Sequence, residues 1–257
     1  MNADAKQSAA AWVPRILGYV LVVGVWQFVS GRLVPAYALP PPVTMVDQMW
    51  QLVASGMFWM HFSATIRTIA LAYALSFVIG VGVGVIMVWP WVDAFVRDWI
   101  ISFLNTPGLV FVLVAMMVFG FHPLGPICAV VVTSFPFVTI NIAEGVHALP
   151  RDLIDMSTAF RVAGSRCLRQ IVIPSLAPYT FAAVRYGFSM AWKIVTLAEL
   201  FGSSRGVGFM IRREFELFSM AGMLAWILLF CAFALLLEVL LQRGARRYFR
   251  WRPEVAV

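Results

Sequence analysis

The residues of this chain that are most able to do chemistry are a few ionisable side chains in long apolar segments. Lys193 and Glu199 lie in the apolar run 179–201, and Arg185 lies nearer its start. Charged side chains inside a membrane are costly and usually face a bundle interior or a water-filled cavity. On one helix, at ~100° per residue, Lys193 and Glu199 are about 120° apart and cannot pair along it. Two interpretations of Lys193 stay open: an ion pair with another helix, or a place on a water-filled pathway.

The sequence gives little indication of a metal site or of the common enzyme classes. Glu144 and His147 have the spacing of a carboxylate and an imidazole that share a helix face in di-metal bundles. The further carboxylates that such a site needs are not evident in the apolar segments, so a solvated helix end is favoured and no metal ligand is assigned. The motifs H-E-x-x-H, G-x-S-x-G and G-x-x-x-x-G-K-[ST] do not occur. An ATP-driven cycle would therefore require a separate partner.

The elements that position these residues are predicted to be membrane helices. The chain has 257 residues, of which 62% are hydrophobic and 12% charged, and its mean hydropathy is +0.88. Because a membrane helix needs ~20 mostly apolar residues, we predict an all-α polytopic membrane protein with about six spans. They cover roughly Val13–Ser30, Ser63–Met87, Trp99–Gly120, Leu124–Ala143, Tyr179–Phe201 and Gly222–Leu241. The short loops leave no room for a catalytic domain.

The distribution of basic residues predicts the orientation. A net charge of +7 would suggest nucleic acid as a partner of a soluble protein, but here most of the nineteen basic residues fall on one side. With the N-terminus in the cytoplasm, only Arg32, Arg205, Arg212 and Arg213 lie outside, which follows the positive-inside rule. We therefore expect both termini in the cytoplasm. The predicted organisation is a polar segment (1–12), a membrane domain (13–241) and a basic tail (242–257) that contacts anionic lipid.

Two short patterns bear on how the helices pack. Gly80 and Gly84 form a G-x-x-x-G pair, which predicts close approach of helix backbones. Asn105, Thr106 and Pro107 lie within the third predicted span, where the proline frees a backbone carbonyl that Thr106 or another helix can satisfy. Such a kink either lines a pathway or shapes the bundle, and the sequence leaves both interpretations open.

A charged helical insert, the inter-span loop (residues 144–177), separates the fourth and fifth predicted spans. Its pattern predicts a helix over Asp152–Cys167 that Gly164 interrupts, then a second short helix that ends before Pro174. Leu153, Met156 and Phe160 share one face of the first helix. This face can dock in a groove of a cytosolic partner or lie on the membrane surface. The residues by themselves do not decide between these two roles.

With these residues in view, the chain resembles the permeases of type I ABC importers, in the branch for nitrate, sulfonates, taurine and thiamine precursors. The family's loop pattern is EAA, three residues, Gly, nine residues and Ile-x-Leu-Pro. Here Asp155-Met156-Ser157 stand for EAA, Arg161 for the glycine, and Ile171-Val172-Ile173-Pro174 for the end. Three further stretches carry the resemblance: Leu39–Pro42 with Ser63–Arg67, Ala191-Trp192 with Ala198–Gly202, and the basic Arg246–Arg252.

Arg161 is the sharpest departure from the family pattern. Glycine at this position permits a tight bend or a close backbone contact, whereas arginine adds length and charge. Gly164 lies three residues later. We expect Gly164 to take over the bend.

The resemblance implies a transporter subunit that is not itself an enzyme. Two copies would form the pore in the bacterial inner membrane, bind two cytosolic ATPase subunits through the inter-span loop, and receive solute from a periplasmic or lipid-anchored binding protein. The chain would bind no cofactor, since ATP and Mg²⁺ belong to the ATPase. The residues placed in the ATPase-coupling loop are Asp155, Met156, Ser157, Phe160, Arg161, Gly164, Leu168, Ile171 and Pro174.

The pathway residues expected from the sequence are Lys193, Glu199 and Asn105. Lys193 motivates the hypothesis that the solute is a small anion such as a sulfonate or carboxylate. The alternative function is a secondary transporter or channel that works alone and lacks an ATPase-docking loop. A membrane enzyme would need polar residues that converge at one membrane depth, and these are not seen.

Overall fold

The structure is a computed structural model that describes residues 3–248, with side chains described for residues 17–244, Pro14 and Arg247. This part of the chain folds into α-helices joined by short turns. The helices are α1 (Ala3–Val29), α2 (Pro42–Ala54), α3 (Met57–Ile86), α4 (Pro90–Asn105), α5 (Gly108–Phe119), α6 (Leu124–His147), α7 (Arg151–Ala159), α8 (Gly164–Cys167), α9 (Ile173–Gly202), α10 (Val207–Glu216) and α11 (Met220–Tyr248). The all-α class predicted from the apolar runs is confirmed.

Within the described residues, four helices are long and apolar enough to cross a membrane, and the pair α4 and α5 makes a fifth if it is one broken span. The four are Met57–Ile86, Leu124–His147, Gly164–Gly202 and Met220–Gly244. The first predicted span appears as a shorter apolar helix, Leu17–Val29, within α1. Residues 249–257 of the predicted basic tail lie outside the described residues.

The third predicted span, Trp99–Gly120, is wrong as a single helix, because α4 and α5 meet at an angle of 92°. Pro107 has no N–H and disfavours helical backbone in the residue before it, and Thr106 is accordingly extended, with ψ of 129°. The carbonyl group that residue 107 would bond in a continuous helix is that of Phe103, and its oxygen accepts the Thr106 amide at 3.3 Å. Two side chains add further bonds to carbonyl groups at the end of α4. The Thr106 hydroxyl donates to the Ser102 carbonyl oxygen at 2.8 Å, and the Asn105 amide donates to the Ile101 carbonyl oxygen at 3.0 Å.

The described residues group into two compact units, and the larger comprises Met60–Phe209 with the described part of Phe230–Val257. Its centre is α6, which packs most extensively against α9 and also contacts α4 and α5. The predicted close packing of Gly80 and Gly84 is confirmed. A Cβ atom at Gly84 would lie 2.8 Å from the Ile142 Cβ, and one at Gly80 would lie 2.9 Å from the Phe135 carbonyl oxygen.

The smaller unit comprises the described part of Met1–Trp59 with Met210–Leu229. In it, hydrogen bonds fix the proline-containing connection between α1 and α2. The Trp26 indole donates to the Pro40 carbonyl oxygen at 3.0 Å, and the Ser30 hydroxyl donates to the Leu39 carbonyl oxygen at 2.6 Å. Phe58 is fully buried, and its ring centroid lies 5.7 Å from that of Trp226.

The contact between α3 and α6 gives a direct test of the packing. Gly84→Ala should lower the free energy of unfolding by about 1–3 kcal/mol, because the new methyl group overpacks the contact with Ile142. Gly82→Ala is the matched control, since nothing lies within 4 Å of a Cβ atom there, and it should be neutral or slightly stabilising. Thermal unfolding in detergent, followed by loss of monodisperse elution, measures both. Equal effects of the two substitutions would contradict the assigned contact.

Candidate functional site

The inter-span loop consists of two helical pieces. α7 begins after Pro150 and ends at Ala159, eight residues before the predicted end of that helix. α8 then continues through a π-helical turn, Leu168–Val172, into α9. Gly164–Gly202 is therefore one continuous helix of 39 residues. The second half of the loop is rigidly connected to a membrane-spanning segment.

The bend of the inter-span loop lies at Arg161. Its φ of +52° is left-handed, a conformation that glycine adopts most readily after a helix end. The Arg161 amide donates to the Thr158 carbonyl oxygen at 3.0 Å, and the Val162 amide donates to the Ser157 carbonyl oxygen at 2.8 Å. These two bonds form the Schellman motif that closes α7. The expectation that Gly164 takes over the bend is wrong, because Gly164 starts α8 and the cap is already complete at Arg161.

The predicted docking residues on this loop are largely exposed. Phe160 is 77% exposed, and Leu168, Met156 and Leu153 are about half exposed. Ser157 instead faces inward, where its hydroxyl donates to the Ile154 carbonyl oxygen at 2.7 Å and lies 3.4 Å from the Cys167 sulfur. The two helical pieces thus hold each other through Ser157 and present apolar side chains on the outside.

Three arginines of the inter-span loop are exposed beside this apolar surface: Arg161, Arg166 and Arg169. Among the residues that the structure describes, none of them has an ion-pair partner. Asp155 is exposed on α7. The loop surface is therefore apolar with a basic margin.

The intramembrane charges divide into paired and unpaired groups. Arg185 on α9 forms an ion pair with Glu238 on α11, at 2.7 Å, and the Gln242 amide donates to the same carboxylate. The sequence did not predict this pair, because the two residues lie 53 positions apart on different helices. Lys193 is exposed and has no ion-pair partner within the described chain. The cross-helix ion pair considered for Lys193 is thus made by Arg185.

Glu199 is buried, with 2% of its surface exposed, and it holds the start of α10. Its carboxylate accepts a hydrogen bond from the Thr65 hydroxyl at 2.8 Å and another from the Gly208 amide at 3.0 Å. The Thr65 hydroxyl oxygen accepts the Val207 amide at 2.8 Å. A carboxylate at a helix N-terminus satisfies orphan amides and complements the helix dipole.

The residues that complete this cluster were not found from the sequence. The Gly206 amide donates to His61 Nδ1 at 3.3 Å. Gly206 has a φ of +110°, and a side chain there would collide with the Glu199 carboxylate. The G-V-G triplet at 206–208 was the available signal, but its contact with α3 depends on the packing of α3 against the end of α9.

Asn105, the third predicted pathway residue, lies at the end of α4 where the chain turns by 92°. Its side-chain amide is bonded within α4, and the residue is exposed. Glu144, considered for a metal site, instead forms an ion pair with Arg97 at 3.1 Å. Within the described chain, no hydrogen bond or ion pair joins Asn105, Lys193 and Glu199 to one another.

Comparison with known proteins points to one family. Residues 76–250 match the family described as binding-protein-dependent transport system inner membrane component. The chain is 25% identical over 243 residues to the putative aliphatic sulfonates transport permease protein SsuC of Bacillus subtilis, covering 94% of this chain and 88% of that protein. It is also 25% identical over 242 residues to the taurine transport system permease protein TauC of Escherichia coli, covering 92% and 88%. Sequence identity to the bicarbonate transport system permease protein CmpB of a Synechocystis strain is 28% over 211 residues, covering 76% of this chain and 73% of that protein.

Among solved structures, the chain resembles one from the MetNI methionine ABC transporter in an inward-facing conformation. The TM-score is 0.58 at 18% sequence identity, covering 76% of this chain and 96% of that chain. At this identity the likeness concerns the fold alone.

The left-handed backbone at Arg161 predicts that substitution by glycine stabilises the protein there. Arg161→Gly should raise the free energy of unfolding by about 1 kcal/mol, because relief of the left-handed strain exceeds the entropy cost of glycine. Arg166→Gly, which replaces the same residue type within α8, should lower it by about 1 kcal/mol. Thermal unfolding in detergent compares the two variants. Destabilisation by both would show that Arg161 is not strained.

The Glu199 cluster predicts that the 203–206 segment loosens when the carboxylate is changed. Glu199→Gln keeps one acceptor oxygen but removes the negative charge that strengthens the hydrogen bonds from Thr65 and Gly208 and complements the start of α10, at a cost of about 1–2 kcal/mol. The measurement is the rate of tryptic cleavage after Arg205, which is exposed, and we expect it to rise. Glu216→Gln is the control, since Glu216 is largely exposed and, among the described residues, forms an ion pair with Arg212 at 3.6 Å on the same helix. An unchanged rate in Glu199→Gln would contradict the anchoring role.

Proposed function

Because the chain belongs to the binding-protein-dependent transport system inner membrane component family, the permeases of ABC importers, we propose that it moves a small anion with energy from a separate ATPase. Family membership places the protein in a bacterial inner membrane as a polytopic, non-catalytic subunit. The ATPase, the binding protein and the second permease copy are parts of the proposal. A stand-alone secondary transporter or channel is disfavoured by the family match.

The surface of the inter-span loop is the observation that supports the proposed contact with the ATPase. Phe160 and Leu168 expose apolar side chains, and Arg161 adds an unpaired positive charge next to them. An exposed aromatic anchor with an apolar surround and a charged margin is typical of a protein–protein interface. Asp155, Met156 and Gly164 lie on the same exposed loop, whereas Ser157, Ile171 and Pro174 support it from within or join it to α9.

The continuous helix from α8 to α9 supports a mechanism for coupling. A force on Leu168 would be transmitted along Gly164–Gly202 to the membrane segment that carries Lys193. ATP binding to the ATPase pair would stabilise one arrangement of the permease, and the loaded binding protein would stabilise the same arrangement from the other side. Such a cycle requires two states of similar free energy that each partner biases.

Two copies of the chain are proposed to form the pathway, with both termini and the inter-span loop in the cytoplasm. The orientation is supported by the basic residues, which concentrate on the loop side. It places the turn after α9 and the amphipathic α10 outside, where the solute-binding protein would arrive. Glu199 then acts by holding the start of α10 rather than by touching the solute.

The proposal of an anionic solute rests on Lys193. An intramembrane ammonium group without an ion-pair partner in the described chain needs water or a passing anion for stabilisation. The names of three relatives refer to aliphatic sulfonates, taurine and bicarbonate, each of which is an anion or carries an anionic group. Asn105, at the break between α4 and α5, is proposed as a second polar residue of the pathway.

The loop assignment is tested by co-purification. The double variant Phe160→Glu with Leu168→Glu should lose the ATPase, because it places two carboxylates in the apolar centre of the contact. The wild type should retain it. The measurement is the ratio of ATPase to permease after affinity purification.

A matched control is Leu217→Glu with Phe218→Glu, which changes the same residue types in the turn before α11, where they are 64% and 93% exposed. This control should retain the ATPase. If the Phe160 and Leu168 variant also retains it, the inter-span loop is not the docking site.

A further inference from the structure

A groove with a volume of about 630 Å³ runs between α9 and α11. The residues that define this α9–α11 groove are Arg185, Ser189, Trp192, Lys193, Phe230 and Glu238. Its size is in the range of cavities that hold small organic molecules, ~300–1,000 Å³. The groove lies entirely within the larger unit of the chain.

The charges of the groove leave one positive group unbalanced. At one end, Arg185 and Glu238 neutralise each other at 2.7 Å. Lys193 lies eight residues further along α9, which is ~12 Å at 1.5 Å per residue. No described acidic side chain pairs with it. The groove therefore has a fixed ion pair at one end and an unpaired ammonium group ~12 Å away.

Donors line one face of α9 beside this ammonium group. Tyr186, Ser189 and Lys193 follow one another at intervals of three and four residues, and such positions share a helix face. All three belong to the groove lining. A hydroxyl donor one turn from an ammonium group suits an oxyanion, which accepts several hydrogen bonds.

The remaining lining is aromatic and firmly packed. The rings of Trp192 and Phe230 are stacked, with centroids 4.3 Å apart and planes at 15°. Phe188 packs against Trp192 at 5.9 Å. Trp192 and Phe230 are each more than nine-tenths buried. The stacked pair therefore forms a preformed floor of the groove, and Tyr186 and Leu235, which are more than half exposed, add apolar surface beside it.

We propose that the α9–α11 groove binds an organic anion with an apolar body, whose acidic group contacts Lys193 and Ser189 while its body lies along Trp192 and Phe230. The proposal rests on the proposed transport function and adds the class of solute. A small inorganic oxyanion would contact Lys193 and leave the aromatic floor unused. Part of the binding free energy should therefore come from the apolar body.

The chemical reactivity of the Lys193 amine measures whether the groove is occupied. The sequence has two lysines, Lys6 and Lys193, so modification of each by an amine-reactive acetylating reagent can be followed by peptide mass spectrometry. The full chain is used in phosphatidylcholine nanodiscs, with any subunit that co-purifies. Benzenesulfonate and hexanesulfonate should slow acetylation of Lys193 at concentrations at which nitrate does not, with Lys6 as the internal reference.

Variants test the contribution of the Lys193 charge separately from that of the space in the groove. In equilibrium dialysis with labelled benzenesulfonate, Lys193→Met should weaken binding about ten- to a hundredfold, whereas Lys193→Arg should retain it. Ala234→Phe fills the groove and should abolish protection of Lys193. Ala232→Phe, on the same helix but outside the lining, is the matched control and should leave protection unchanged.

Each other outcome overturns the proposal. Equal protection by nitrate would show a site for small anions only, and lack of protection would show that the groove binds neither probe. Protection by phosphatidylglycerol added to the nanodiscs would assign the groove to lipid, and a Lys193 that is unreactive without any probe would show that the groove is closed to solutes. ATPase retention is scored on the same preparations, so that loss of protection with the ATPase retained would overturn only the groove and not the transport function.

Discussion

The lack of water in the bilayer core is the constraint on which this structure depends. Each backbone N–H and C=O group must find a partner within the protein, and each charge must be paired or reach a water-filled space. The helical fold follows directly from the first requirement. Even the break between α4 and α5 obeys it, because the Phe103 carbonyl oxygen, which Pro107 cannot bond, accepts the Thr106 amide instead.

The requirement that each charge be paired or reach water gives the intramembrane charged residues different roles. Arg185 is neutralised by Glu238, so this pair joins α9 to α11 without leaving a net charge. Glu199 has hydrogen-bond donors rather than a cation, and it fixes the start of α10. Lys193 has neither kind of partner in the described chain, which makes it the group that remains available to a solute. The three residues are close in sequence and differ in function because their surroundings differ.

The inter-span loop shows how a departure from a family pattern is accommodated. The bend remains at the position where the family has glycine, since the two hydrogen bonds that close α7 require a left-handed residue there. Arg161 accepts this conformation and places a charged side chain at the tip of the loop. The continuity of α8 with α9 then links that tip to the membrane segment that carries Lys193.

The sequence by itself determined the elements that depend on short-range pattern. Long apolar runs predicted the helices, Gly80 and Gly84 predicted a close helix contact, and the charged insert predicted the loop between two spans. The loop motif and its flanking stretches also identified the family that the comparison confirms. These features could be predicted because apolar length, glycine spacing and proline position act within a few turns of one helix.

Only the tertiary structure decided which residues meet. The proline at position 107 predicted a kink in the third span, but the angle of 92° between α4 and α5 depends on how these helices pack against α6 and α9. The pairing of Arg185 with Glu238 joins residues 53 positions apart, and that of Thr65 with Glu199 joins residues 134 apart. Helical periodicity fixes the face on which a side chain lies, but not the helix that this face contacts. The helix that a face contacts depends on packing between helices. Here that packing pairs Arg185 with Glu238 and leaves Lys193 without an ion-pair partner in the described chain.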